Sequence, residues 1–143
     1  MQTVTRRLQF CSGHRVFKHE SSCANLHGHN YVIHITAKAP KLDAVGRDID
    51  FKELKTKFGD WIDQTWDHGF LWFKDDPVCK VIFQELEISG GMKNFECDFN
   101  PTAENMAEHV LRVVAPKLLK GTKIKVTEVR LEETENCSAV AMW

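Results

Sequence analysis

The chain contains no apolar run approaching the roughly eighteen residues needed to cross a bilayer, so a membrane-spanning helix is not expected. It also lacks any C-x-x-C pair. Its five cysteines (Cys11, Cys23, Cys79, Cys97 and Cys137) are an odd number, which fits reduced thiols in a cytosolic protein better than a disulfide framework. The stretch from Met1 to Arg7 runs straight into a strand-like pattern and has no apolar stretch of the kind a signal peptide carries. A cytoplasmic location is therefore expected. No stripe of Lys and Arg is present: the net charge is -1, and Lys52, Lys55 and Lys57 alternate with Glu53 and Asp60 as on a solvated helix face. Nucleic acid is not an expected partner. Internal repeats, linkers and low-complexity tracts are missing too. With 143 residues, 43% hydrophobic and 27% charged, the chain reads as one globular domain spanning 1–143.

What is present is concentrated near the amino terminus. His27-Gly28-His29 places two imidazoles at i and i+2 on an extended segment, on one face and roughly 7 Å apart. The glycine between them adds no side chain to crowd the site. An isolated His-x-His is commonly an ordinary strand pair near a turn; its neighbours give this one a different meaning. From Val4 to Val16 the even positions carry Val, Arg, Leu, Phe, Ser, His and Val, a strand with one buried face on which His14 is in phase with Leu8 and Phe10. After a polar loop from Lys18 to Asn25, a second strand runs from about His27 to Lys38, with His29, Tyr31, Ile33 and Ile35 sharing a face. In an antiparallel hairpin the end of the first strand lies beside the start of the second. His14, His27 and His29 thus come within reach of one metal ion, leaving a fourth tetrahedral position open as in catalytic zinc sites.

The remaining segments complete the fold. Asp50 followed by Glu53 resembles a capping box, and Phe51, Leu54, Phe58, Trp61 and Ile62 recur at helical spacing to about Trp66. A short helix is predicted within Asp75 to Glu87, and Ile88 to Phe99 reads as irregular. Pro101-Thr102 opens a second long helix, with Met106, Val110, Val113, Val114 and Leu118 on its buried side and Gly121 at its end. Thr122 to Glu133 and Ser138 to Trp143 read as a third and a fourth strand. The order ββααββ predicts an α+β domain: an antiparallel four-stranded sheet with two long helices on one face.

Three further features carry chemistry. Cys23 lies four residues before His27 in Ser21-Ser22-Cys23-Ala24-Asn25, a stretch too polar for a core. A thiol near a metal ion and imidazoles is expected to have a depressed pKa and to serve as a base. The other four cysteines read as inert. Asp67-His68 closes the first helix as an adjacent carboxylate and imidazole; it forms either an oriented proton-transfer pair or a helix end that favours His for its dipole. Glu133 shares the apolar phase of Val129 and Leu131, where a carboxylate is costly unless paired. It either faces a ligand with an amidine-like donor edge or begins a turn.

Taken together, Phe10-Cys11-Ser12-Gly13-His14-Arg15, the run Cys23 to Tyr31, Gly46 to Phe51, Asp67-His68, Pro101-Thr102-Ala103-Glu104-Asn105 and Glu133-Thr134 resemble the 6-pyruvoyltetrahydropterin synthase / 6-carboxytetrahydropterin synthase family. They fall in family order from about Val4 to Met142. The resemblance implies the tunnelling fold, a homohexamer (a dimer of trimers) with active sites between subunits, and 7,8-dihydroneopterin triphosphate as substrate. It implies zinc on His14, His27 and His29, Cys23 as the proton-abstracting base, and Asp67 with His68 as the relay. Glu133 would anchor the pterin and take part in the relay, while Thr102 and Glu104 would line the same pocket. Arg15, Lys18 and His19 are candidates for the triphosphate. The tight Cys-x-x-x-His-Gly-His loop looks like the carboxy-forming branch of queuosine (7-deazaguanine) biosynthesis, which also releases acetaldehyde. A pyruvoyl-forming enzyme and a non-catalytic zinc module closed by Cys23 are the rival readings. The chain departs from the family after Asp67-His68, where Gly69-Phe70-Leu71-Trp72 follows, and in the long stretch from Phe73 to Phe99.

Overall fold

The computed structural model describes residues 2–85 and 91–143. Strands β1 (Val4–His14) and β2 (His27–Lys38) form the expected antiparallel hairpin, in register from Val4 opposite Ala37 to His14 opposite His27. Their period-two alternation turns Phe10, Tyr31, Ile33 and Ile35 onto one buried face. Helix α1 (Phe51–Thr65) starts at Asp50, whose carboxylate accepts the Lys52 N–H at 2.8 Å. It covers that face with Leu54, Phe58 and Ile62. Burial of each such side chain contributes about 1.5–3 kcal/mol, against about 1 kcal/mol for the cap, so packing is what holds the helix in place.

Beyond α1 the sheet differs from expectation. It has six strands among the described residues, in the order β4-β3-β1-β2-β5-β6, and it is mixed, where four antiparallel strands were expected. Strand β3 (Gly69–Phe73) pairs parallel to β1, α2 (Pro77–Lys80) runs into a π-helical turn (Val81–Glu85), and β4 (Asn94–Cys97) pairs parallel to β3. Gly-Phe-Leu-Trp-Phe is a continuous apolar run because β3 is covered on both faces. Leu71 belongs to the main core, whereas Trp72 packs beside Phe83 at 5.9 Å between ring centroids. The predicted short helix ends at Lys80 in α geometry, and its last residues, 86–87, fall outside the described residues. The stretch read as irregular contains β4; its residues 88–90 also fall outside.

The second long helix is α3 (Ala103–His109), a π-helical turn (Val110–Val114) and α4 (Ala115–Leu118) in succession. The wider turn slips the helical phase, so Leu111 is buried and Val113, expected in the core, is exposed. Gly121, at φ 83, turns the chain toward β5 (Lys125–Thr134), which pairs antiparallel with β2 and with β6 (Cys137–Met142). No helix among the described residues is long and apolar enough to cross a membrane.

Candidate active site

The end of β1 and the start of β2 carry the three histidines. His14 sits opposite His27, and Ser12 opposite His29, so all three imidazoles project from one face. A Cβ on Gly28 would lie 2.9 Å from the Ser12 carbonyl oxygen, and only glycine permits that approach of the two backbones. The ligand nitrogens lie within 4.8 Å of one another, a group that could hold a metal ion.

Second partners set the orientation of two of the rings. His14 Nδ1 donates to the Pro101 carbonyl at 2.7 Å, and His27 Nδ1 donates to the Asn25 carbonyl at 2.7 Å. A carbonyl can only accept, so Nδ1 of each ring carries a proton, and in the neutral ring, the form that binds metal, Nε2 is then the lone pair. Those two Nε2 atoms face each other at 3.0 Å. Two lone pairs at that distance repel, and a cation between them converts the repulsion into coordination. The Nε2 of His29 is likewise buried and has no hydrogen-bond partner among the described residues. Burial pushes the His14 pKa down to about 4 against the Pro101 hydrogen bond, with His27 and His29 adding to the shift. His29 is lowered for the same first reason, partly offset by Glu133. Neutral imidazoles are the form that binds metal.

Glu133 stands over this cluster. The β5–β6 register shifts between Glu132 and Thr134, a bulge that re-aims the intervening side chain. Its two carboxylate oxygens lie 3.9 Å from Nε2 of His14 and 3.9 Å from Nε2 of His29. Tyr31 floors the site, its ring 5.3 Å from that of His29 and stacked on Phe10 at 5.0 Å. The Tyr31 hydroxyl is held protonated by burial and by the Glu133 charge.

Cys23 is half-buried in a single 3-10 turn (Ser22–Ala24) and stands outside the converging group. Cys79 and Cys97, read as inert, are buried, and burial pushes both thiols up to about 12. Asp67 and His68 are hydrogen-bonded to each other, with His68 Nδ1 2.7 Å from Asp67 Oδ2. The other Asp67 oxygen accepts the Cys11 N–H at 2.9 Å, and the His68 N–H donates to the Cys11 carbonyl at 2.7 Å. Burial works to raise the Asp67 pKa, but the Cys11 N–H, the His68 hydrogen bond and the charges of His68 and Lys93 together hold the carboxyl below its ordinary range. No hydrogen bond or ion pair among the described residues joins this pair to the three histidines. The Cys11 and Asn30 side chains beside it occupy the opposite phase of the hairpin.

Thr102 caps α3, its hydroxyl accepting the Asn105 N–H at 3.2 Å, and Glu104 is exposed in the first turn. Of the residues named for a triphosphate, Arg15 is 3.1 Å from Asp76, Lys18 lies over the Phe17 ring and His19 accepts from Ser21 N–H at 3.0 Å.

The sequence matches the profile of the 6-pyruvoyl tetrahydropterin synthase family over residues 3–142. The chain belongs to the 6-pyruvoyl tetrahydropterin synthase family. Among its relatives, a 6-carboxy-5,6,7,8-tetrahydropterin synthase of Rickettsia conorii is 41% identical over 137 residues, covering 96% of this chain and 97% of the relative. A 6-carboxy-5,6,7,8-tetrahydropterin synthase of Aquifex aeolicus is 29% identical, covering 95% and 94%. The fold is shared with an uncharacterized protein of Wolinella succinogenes, at a TM-score of 0.83 and 22% identity over 99% of this chain and 97% of the other. It is shared also with the 6-pyruvoyl tetrahydropterin synthase of Caenorhabditis elegans, at a TM-score of 0.67 and 20% identity over 99% and 95%.

In this member of the 6-pyruvoyl tetrahydropterin synthase family, the histidines themselves were readable from strand phase. The groups that orient them were not. Pro101 and Asn25 act through main-chain carbonyls, which carry no sequence signature. Asn100, which clamps Phe17 from both sides of its amide (2.8 Å to N and 2.8 Å to O), holds the Pro101 loop against the turn after β1.

Proposed function

We propose that the chain is a zinc-dependent lyase that converts 7,8-dihydroneopterin triphosphate to 6-carboxy-5,6,7,8-tetrahydropterin, releasing acetaldehyde and triphosphate. The observation that carries this reading is the convergence of three Nε2 atoms, two of them lone pairs held 3.0 Å apart by their second hydrogen bonds. Three neutral imidazoles suit zinc and leave a position for substrate oxygen. Bound there, zinc acts as a Lewis acid on the side-chain hydroxyls of the substrate.

The chain's own residues supply the rest. His14, His27 and His29 hold the metal. Cys23, half-buried in a polar turn four residues before His27, removes a proton from the substrate side chain as its thiolate. Asp67 fixes the tautomer of His68, which exchanges a proton on the other side. Glu133, aimed at the site by its bulge, accepts two hydrogen bonds from the donor edge of the pterin and shares in the relay. Thr102 and Glu104, next to the Pro101 carbonyl that orients His14, complete the pocket wall. The assembly in this reading is a homohexamer with sites between subunits, in which one copy's Asp67-His68 pair serves another copy's metal. The choice of product rests on relatives named 6-carboxy-5,6,7,8-tetrahydropterin synthase, one of them 41% identical across the chain; a place in queuosine biosynthesis and a cytoplasmic location are part of the same reading.

Incubation of the zinc-loaded protein with 7,8-dihydroneopterin triphosphate, followed by product analysis, is the test. Acetaldehyde and 6-carboxytetrahydropterin in equal amounts are the expected result. A 6-pyruvoyl product without acetaldehyde would assign the chain to the other activity, and no turnover would leave a zinc-binding module.

A further inference from the structure

Lys93 lies just before β4, in a stretch that carries none of the residues assigned above to metal, base, relay or pterin. Its Nζ donates to the carbonyl of Asp63 at 2.6 Å and to the carbonyl of Asp67. Asp63 lies in the last turn of α1, where a helix leaves its last acceptors unmatched, and Asp67 lies just past the helix end. The neighbouring acceptors are already taken: Ile62 O receives Trp66 N at 2.9 Å and Asp67 N at 2.8 Å, and Trp66 O receives Gly69 N at 3.0 Å. One ammonium therefore closes the helix end from the residue that precedes β4. Lys93 is itself anchored, because its carbonyl accepts the Phe70 N–H at 3.1 Å, at the start of β3.

The consequence falls on one peptide unit. The carbonyl of Asp67 and the N–H of His68 are two ends of the same plane. Lys93 holds the first end and the Cys11 carbonyl holds the second at 2.7 Å. His68 has φ 56, in the left-handed region that a histidine adopts at a cost and keeps only when its surroundings over-determine it. Rotation of that plane would change φ of His68 and carry its imidazole away from Asp67. We propose that Lys93 is a positioning residue for the Asp67-His68 pair, locking the peptide between them so that the imidazole stays on the carboxylate; this rests on the relay assigned above. Around Asp67 the charged and titratable groups are His68 on the same turn, Lys93, Asp63 one turn back, and Cys11 on β1, whose thiol is turned to Asn30.

The experiment compares K93M and K93R with the unaltered chain, each full length and zinc-loaded. Amide exchange at His68 and steady-state kinetics with 7,8-dihydroneopterin triphosphate are measured across pH. K93M is expected to exchange the His68 amide about tenfold faster and to lose about tenfold or more in kcat with KM and zinc content unchanged. The acid limb of its pH profile should move to higher pH, because the ammonium helps hold the Asp67 carboxyl down. K93R should restore most of the loss. Unaltered exchange and kcat in K93M, or equal losses of kcat and thermal stability in K93M and K93R, would overturn the proposal. If the unaltered chain makes no product, the functional reading fails instead, and His68 exchange still decides whether Lys93 holds the peptide.

Discussion

Arg15 and Asp76 form an ion pair at 3.1 Å that ties the end of β1 to the start of α2. Asp76 is fully buried, and its other oxygen accepts the Val78 N–H at 3.0 Å as the helix cap. Arg15 directly follows His14, so this contact fastens the poorly matched stretch after β3 to the edge of the metal site. Removing one partner of a buried pair strands the other charge. Asp76→Ala should destabilise the fold by about 2–4 kcal/mol, below the full cost of a buried pair because Arg15 keeps some hydration. Urea denaturation checks this, and an unchanged midpoint would show that the pair contributes nothing.

Cys23 lies outside the group of three converging nitrogens, so a base and a ligand make different predictions for it. Cys23→Ala should keep stoichiometric zinc and the same melting temperature while kcat falls about 10²–10⁴-fold. Zinc analysis beside kinetics decides it: loss of the metal would make the thiol a fourth ligand and the site a closed structural one.

Glu133 lies close enough to two ligand nitrogens to be read as part of the metal shell, so its substitution is informative. Glu133→Gln replaces one acceptor with a donor facing the donors of the pterin. Weaker binding by about tenfold or more is expected, since each charged hydrogen bond contributes about 1.5–3 kcal/mol. Zinc content and the proposed hexamer, measured by light scattering, should not change. Zinc loss in that variant would move Glu133 from substrate to metal.

The depressed His14 pKa has a sign that can be followed. Unfolded, this imidazole binds a proton near pH 6.5; folded, it does so near 4. Between those values the unfolded chain carries more protons, so the metal-free protein should lose stability as pH falls from about 6.5 toward 4, and gain nothing above that window. Thermal unfolding of the metal-free protein across pH 4.5 to 7.5 measures it. In His14→Gln the slope should flatten, and an equal slope in both proteins would contradict the assignment.

The hairpin was readable because strict alternation fixes both strand direction and side-chain phase, and the phase alone brought His14, His27 and His29 together. The same alternation put Glu133 on the face of Val129 and Leu131, while the bulge beside it left no mark in the pattern. Strand β3 was missed because a strand covered on both faces loses the alternation that marks it, and β4, four residues long, is too short to show a period. The π-helical turn in the second helix left no mark in the pattern either, and it displaced Val113 from the core. Contacts made by main-chain carbonyls, such as Pro101 on His14, depend on where distant loops meet, and no residue type announces them.

Zinc K-edge X-ray absorption of the metal-loaded protein tests the metal centre most directly. Three nitrogen scatterers at about 2.0–2.1 Å plus one light oxygen scatterer are expected, with none of the sulfur that would appear at about 2.3 Å. A sulfur shell, or the unaltered spectrum at full zinc occupancy in His29→Ala, would contradict an open site built from His14, His27 and His29.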